Sequence, residues 1–332
     1  MMQRTILAAA TALAITGAAN AQPYNLTIAG YSPGGLVSTV GAGMDASLAA
    51  QYPGSTVTYQ TSSGGLANAL LLQQGKVPLG FVSDTEILVA TQGKPPFKAP
   101  IKELRMLINS YTPQSRFQVT HTLVQKSWAE QHGIKTFEDI AAKKPPMRIA
   151  VNRPGNMDGD VSIATLTAIG VSLDDVKKWG GQVIRAASGE QTSLMLDRRI
   201  DVISFGISYK HPRVLEVANG VEMVMLPMSE ATAKKAGDLT GATPCTIKKE
   251  EYDFLLGDAA SLCVGLPVLV NANMDEQTAY NVTKAMFEQI EKFKASHRLL
   301  AAATTKESLA QDGGVPFHPG ALKYLKEAGI KK

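Results

Sequence analysis

Apolar positions follow two alternating rhythms along this chain. Short runs rich in β-branched and aliphatic residues, each bounded by Gly, Pro, Asn or Ser, predict strands over 26–30, 56–60, 79–83, 104–109, 148–152, 183–187, 202–206 and 223–226. A ninth run, 262–271, is longer. Between them, apolar residues spaced three or four apart predict helices over 66–74, 160–169 and 191–199. The clearest helical stretch follows Asn273, where Tyr280, Met286 or Phe287, Ile290 and Phe293 share one face and Asn273 with Glu276 resembles a capping box. Short strands alternating with longer helices predict βα units and an α/β fold.

A Pro- and Ser-containing passage, 111–117, followed by an extended run over 119–125, separates two sets of these units. The helices after the ninth run have no strands of their own to cover, so the economical path returns them to the first sheet. The expected organisation is a discontinuous domain I (22–121 plus 266–332), a domain II (122–265), two hinge crossings and a cleft between.

Composition fits this picture. Among 332 residues, 45% are apolar and 19% charged, which excludes a disordered or collagen-like chain. The net charge of +4 is spread without a basic block, so no nucleic-acid partner is expected. Residues 1–21 have the three parts of an export signal: Arg4 and the amino terminus, an apolar run from Ile6 to Ile15, and Ala19-Asn20-Ala21 as a small-residue cleavage site. Cleavage after Ala21 would place the mature chain in the periplasm, and no later apolar stretch reaches the ~18 residues of a membrane span. In that oxidising compartment Cys245 and Cys263 either pair, for roughly 3 kcal/mol of stabilisation, or stay as two buried thiols. The five histidines are scattered, with neither CxxC nor HExxH, so no metal site is expected.

Three strands of the first half run into similar loops. These carry Tyr31, Ser32 and Gly35; Ser62, Ser63, Gly64 and Gly65; and Ser83 and Asp84. Ligands of α/β sheets bind beyond the carboxyl ends of strands, where helix N-termini offer unpaired N–H groups and a partial positive charge. Each loop taken singly is explained by helix capping, whereas the three together outline a site for a small anion. The second half offers a facing wall in Asn156 and Asp158 of the 152–159 loop, Gly189 in the 187–190 loop, and Ser208. No GxSxG elbow, SxxK or Walker A sequence is present, and no pair of acids is fixed in acid/base geometry. The chain is therefore read as a binder, not an enzyme, needing no cofactor.

The order of these segments resembles the TAXI family of solute receptors for TRAP transporters. The resemblance rests on the leader, Leu26-Thr27-Ile28-Ala29-Gly30 before a Gly-Gly loop, the segment Tyr59 to Asn68, Leu79 to Asp84, Val151 to Asn156, Arg199 to Val202, and above all the ending Phe317 to Gly329. It implies a type II periplasmic-binding fold that closes on a small carboxylate or amino-acid-like solute and delivers it to an ion-driven TRAP permease. An ABC importer or a sensor is the alternative partner, and a periplasmic enzyme on the same fold is the remaining alternative. Departures from the family pattern fall on the expected site. Val37 and Ser38 stand where the family has paired tyrosines, Gly65 and Leu66 replace its Ser, and Val82 its Gln. Asp158 replaces its Thr and would put a carboxylate beside the pocket, which implies a solute bearing an amine, amide or hydroxyl. A plain N-cap role for Asp158 is the competing reading.

Overall fold

The computed structural model describes residues 23–31, 36–255 and 257–332. Among these, the strands in chain order are β1 (Asn25–Ala29), β2 (Thr56–Gln60), β3 (Leu79–Phe81), β4 (Leu104–Asn109), β5 (Val119–Gln125), β6 (Arg148–Val151), β7 (Gln182–Arg185), β8 (Val202–Ile207), β9 (Met223–Met225), β10 (Thr243–Ile247), β11 (Ala259–Cys263) and β12 (Pro267–Asn271). They form two sheets. The first has the order β2-β1-β3-β12-β4, and the second runs β10-β11-β5-β8-β6-β7 with β9 paired to β5. β2, β1 and β3 are mutually parallel, as are β8, β6 and β7. Each parallel group sends its carboxyl ends into turns that start helices, which directs both sets of loops to one cleft.

Apolar clusters cover both sheets, and the one over the first sheet runs on to Met157, Val161 and Leu262 of the second lobe. Helix Leu36–Gln51 lays Val40, Met44 and Leu48 over Ile28 of β1 and, with Phe287 and Phe293 from the C-terminal helices, seals the first lobe. Gly41 and Gly43 make that contact close: a Cβ at Gly41 would lie 2.7 Å from the Tyr59 ring, and one at Gly43 2.9 Å from the Phe293 carbonyl oxygen. Glycine at these two positions is thus a packing device. In the second lobe, Val119, Ile203 and Phe205 of β5 and β8 meet Val214 and Val217 of helix Pro212–Gly220. Burying each such side chain contributes about 1.5 to 3 kcal/mol.

The chain crosses between lobes twice, and the crossings run side by side. The ninth apolar run is two strands: β11 ends in the second sheet, β12 begins in the first, and Val264-Gly265-Leu266 forms the bridge. Ser110 N–H donates to the Leu266 carbonyl (3.0 Å), Leu266 N–H to the Tyr111 carbonyl (2.9 Å), and Val264 N–H to the Gln118 carbonyl (3.1 Å). β5 starts at Val119, two residues before the boundary drawn at 121 from sequence, and lies wholly in the second sheet. After β12 the helices return to the first lobe, where Phe317 bridges Met106 of β4. Helix Glu276–Glu288 is capped by Asp275, which accepts from Thr278 N–H at 2.8 Å. Asn273 is therefore not its cap; its N–H donates instead to the Asn271 side chain. Cys245 on β10 and Cys263 on β11 are joined by a disulfide, with Cα atoms 5.8 Å apart. No helix among the described residues is long and apolar enough to cross a membrane.

Candidate functional site

A cavity of about 310 Å³ opens between the lobes beside the crossings. The second lobe contributes most of its polar lining: Asn152 after β6, Asn156 and Asp158, Ser188 to Glu190 after β7, and Arg213. From the first lobe, among the described residues, come Tyr31, Leu36 and Val37, while Gln118 reaches in from the end of the first crossing.

Local sequence explains the second-lobe wall. Asn156 is the N-cap of helix Met157–Ala168, its side chain accepting from Asp158 N–H at 3.0 Å. Asp158, already inside the helix, is released from capping and turns its carboxyl to the cavity. There it accepts from Gln118 Nε2 (2.7 Å) and Asn152 Nδ2 (3.5 Å). The absence of a side chain at Gly206 leaves room for it, since a Cβ there would stand 2.3 Å from the Asp158 carboxyl and push it aside. Burial pushes the Asp158 carboxyl up to about 7; Gln118 and Asn152 work against this rise and the nearby Glu86 adds to it. The N-cap reading of Asp158 is thus replaced by a cavity-lining one, because Asn156 two residues earlier holds the cap position.

Helix Ser188–Leu196 points its first turn at the same space, and its N-cap Ala187 makes no side-chain capping bond. Ser188 Oγ lies 3.3 Å from Asn152 Nδ2, and the Arg213 guanidinium comes within 3.8 Å of a Cβ built on Gly189. Glu190 is paired on the exposed side with Arg153 at 3.5 Å. His211 caps helix Pro212–Gly220 through Nδ1, accepting from Arg213 N–H. Burial, with the Arg213 charge second, pushes the His211 imidazole down to about 4, so it stays neutral near pH 7. This end of the cavity therefore joins a cation, a hydroxyl and a helix N-terminus, a combination suited to an anionic group.

The first-lobe loops are arranged differently from the anion site read in the sequence. Gly65 N–H donates to Glu86 Oε1 at 2.8 Å, and Ser83 donates to Glu86 Oε2 through both N–H (3.0 Å) and Oγ (2.6 Å). The Tyr31 hydroxyl donates to the same oxygen. Ser62 Oγ bonds the Gly30 carbonyl and the Asn68 side chain, both at 2.6 Å, and so braces the turn from within. Ser63 is exposed and does not line the cavity; Ser38, Ser62, Ser83 and Ser208 do not line it either. Gly64 marks where the lobes meet. Its φ is +142°, and a Cβ there would come within 2.6 Å of the Gly155 carbonyl oxygen of the opposite lobe. Ser32 and Gly35, like the leader and its cleavage point after Ala21, lie outside the described residues.

Asp84 belongs to the hinge. Its Oδ2 accepts from Gly265 N–H (2.8 Å) in the second crossing, and its own N–H faces the Gly265 carbonyl at 3.3 Å. Burial pushes its carboxyl up to about 7 against the Gly265 and Thr85 donors.

The sequence reading missed Glu86, Gln118 and Arg213, while Asn152 and Ser188 fall inside the two loops expected to form the facing wall. Glu86 had a visible signal, since Ser83-x-x-Glu86 is a capping-box spacing, but nothing local links it to Gly65. Among the described residues no cluster of three or more His, Cys, Asp or Glu side chains could hold a metal ion.

Two α/β lobes, a double crossing and a cleft at the carboxyl ends of both sets of parallel strands define a type II periplasmic-binding-protein fold. Solved structures share it. MatC from Rhodopseudomonas palustris with bound malate has a TM-score of 0.56 at 12% identity, covering 92% of this chain and 96% of that one. A binding-protein component of an ABC phosphonate transporter from Pseudomonas aeruginosa gives 0.51 at 11%, covering 83% and 79%. PhnD1 from Prochlorococcus marinus in complex with methylphosphonate gives 0.50 at 10%, covering 93% and 100%. The chain belongs to the NMT1-like family, whose sequence model matches residues 28–329.

Proposed function

We propose that this protein is an extracytoplasmic, periplasmic solute receptor that closes on one small molecule and presents it to a membrane permease. One observation carries the reading: a cavity of about 310 Å³ walled by strand-end loops of both lobes and flanked by the two crossings. That volume is at the lower end for small-molecule sites. A ligand touching both lobes favours the closed state by its differential contacts.

The lining supports a two-ended solute. An acidic group fits at Ser188 and Arg213, and a group able to donate a hydrogen bond, such as an amine, amide or hydroxyl, fits at Asp158. Tyr31, Leu36 and Val37 suit the apolar face between them. The bound malate of MatC and the methylphosphonate of PhnD1 are small anions of the kind the first end would take. The domain limits proposed are those of the two sheets, with residues 267–332 completing the first lobe. An ion-driven TRAP permease is the partner favoured by the TAXI-like ending, Phe317 to Gly329. The shared fold with an ABC phosphonate-transporter component supports an ABC permease instead.

Mass spectrometry of the natively purified chain tests the receptor reading. A single small co-purifying solute, displaced on partial unfolding, is the expected result; a chain that arrives empty and shows no compaction in scattering with any cell extract would overturn it. Uptake of that solute, abolished by collapsing the ion gradient but not by depleting ATP, selects the TRAP permease, and the reverse selects the ABC permease.

A further inference from the structure

The first lobe contains a complete carboxylate cradle that is already filled from within the chain. The Glu86 carboxylate is nearly fully buried and receives Gly65 N–H, Ser83 N–H, Ser83 Oγ–H and the Tyr31 hydroxyl. The capping box accounts for the Ser83 contacts but not for the other two. Gly65 is the first residue of a different helix, Gly65–Gln73, whose N-cap Gly64 has no side chain to offer. Tyr31 follows β1, on yet another turn. Three separate strand-end turns therefore converge on one carboxylate, with a geometry that strand-end loops ordinarily direct at a ligand. Gly65 has no room for a side chain, since a Cβ there would lie 2.0 Å from Glu86 Oε2 and 2.6 Å from the Tyr31 oxygen. The cradle lies directly behind the cavity, because Tyr31 contacts Glu86 through its hydroxyl and lines the cavity.

We infer that Glu86 is a specificity-determining residue: it occupies the first lobe's carboxylate subsite as a built-in surrogate, so the solute brings no acidic group to Gly65 and Ser83. An acid on the solute is then directed to Ser188 and Arg213, and a second acid is disfavoured by the Glu86 charge behind Tyr31 and the Asp158 carboxyl opposite. This rests on reading the cavity as a solute site, but its chemistry can be tested without knowing the solute.

The test removes the surrogate and supplies a free one. Glu86→Ala is titrated with acetate, with acetamide as the neutral isostere and chloride as the ionic control, and followed by calorimetry and thermal melting. The expected result is saturable acetate binding to the variant, at least tenfold tighter than acetamide, a melting temperature that climbs with acetate, and no such response in the wild-type chain. If the variant folds only when acetate or formate is present, the cradle is equally established. Equal responses to acetate and acetamide would reduce Glu86 to a space-filling cap and overturn the inference, as would acetate binding the wild type equally well. A variant that neither binds acetate when folded nor folds in its presence would also overturn it. None of these outcomes depends on whether the protein serves a permease, which the co-purified solute decides separately.

Discussion

The two walls of the cavity are built alike and behave oppositely. In each, parallel strands run into glycine-bearing turns that open helices. In the first lobe a long acidic side chain, Glu86, reaches across and occupies the donors of a neighbouring turn, so the described residues facing the cavity are Tyr31, Leu36 and Val37. In the second lobe the helix start at Ser188 receives no side-chain cap from Ala187, and the nearby acid Glu190 is drawn outward to Arg153. Its polar groups remain directed at the cavity. The difference lies not in the turns but in where one carboxylate per lobe is held, which decides whether a helix N-terminus is a structural joint or a recognition element.

That contrast can be broken most forcefully at the carboxylates. Glu86→Ala leaves several buried donors without an acceptor and should cost about 3 to 5 kcal/mol of stability, whereas Glu190→Ala, losing an exposed pair, should change it by less than about 1 kcal/mol. Denaturant unfolding of the two variants checks this; equal losses would mean that the walls do not differ as described. Gly64→Ala should come next. Backbone strain at φ +142° and the approach to the Gly155 oxygen oppose closure, so about 1 to 3 kcal/mol of the closed state should be lost. Scattering should then show a more open molecule at equal solute concentration.

Arg213→Ala removes the cation from the second wall and should weaken solute binding by about 1.5 to 3 kcal/mol, tenfold or more, with little change in melting temperature. Retained affinity by calorimetry would move the anionic group elsewhere. A further effect is expected in the pH profile. Asp158, raised in the folded state from its ordinary value of 3.8 to about 7, adds stability that is fully present below pH ~4 and is lost as pH rises through about 7. Asp84 at the hinge acts with the same sign and over the same window. Asp158→Asn and Asp84→Asn should each flatten part of the fall in melting temperature between pH 4 and 7, with Glu86 and Asp160, whose carboxyls burial also raises, keeping a remainder. Unchanged slopes in both variants would show that neither acid titrates in that range.

Hydrophobic rhythm and turn residues determined the alternation of strands and helices, the interruption at 111–117 and the loops that end on the cleft. These are consequences of period and of turn chemistry, which act within a few residues. Asn156 and Asp158 also belong to this class, since a strand, a short polar loop and a helix place them at the strand end whatever the partner lobe does.

Tertiary structure decided the rest. The 262–271 run reads as one strand because its composition is uniform, yet Gly265 is held by Asp84 and the flanking residues pair with different sheets. Ser83, Gly64 and Gly65 looked like donors for a ligand because capping and ligand binding use the same residue types. Which of the two they serve depends on a carboxylate 21 positions from Gly65 in sequence and 2.8 Å away in space. Arg213 likewise carried no local signal, because its role comes from the approach of helix Pro212–Gly220 to Gly189. Periodicity and turn chemistry are short-range and can be read from the chain, whereas the occupancy of a hydrogen-bond donor is a long-range property that exists only once the chain has folded.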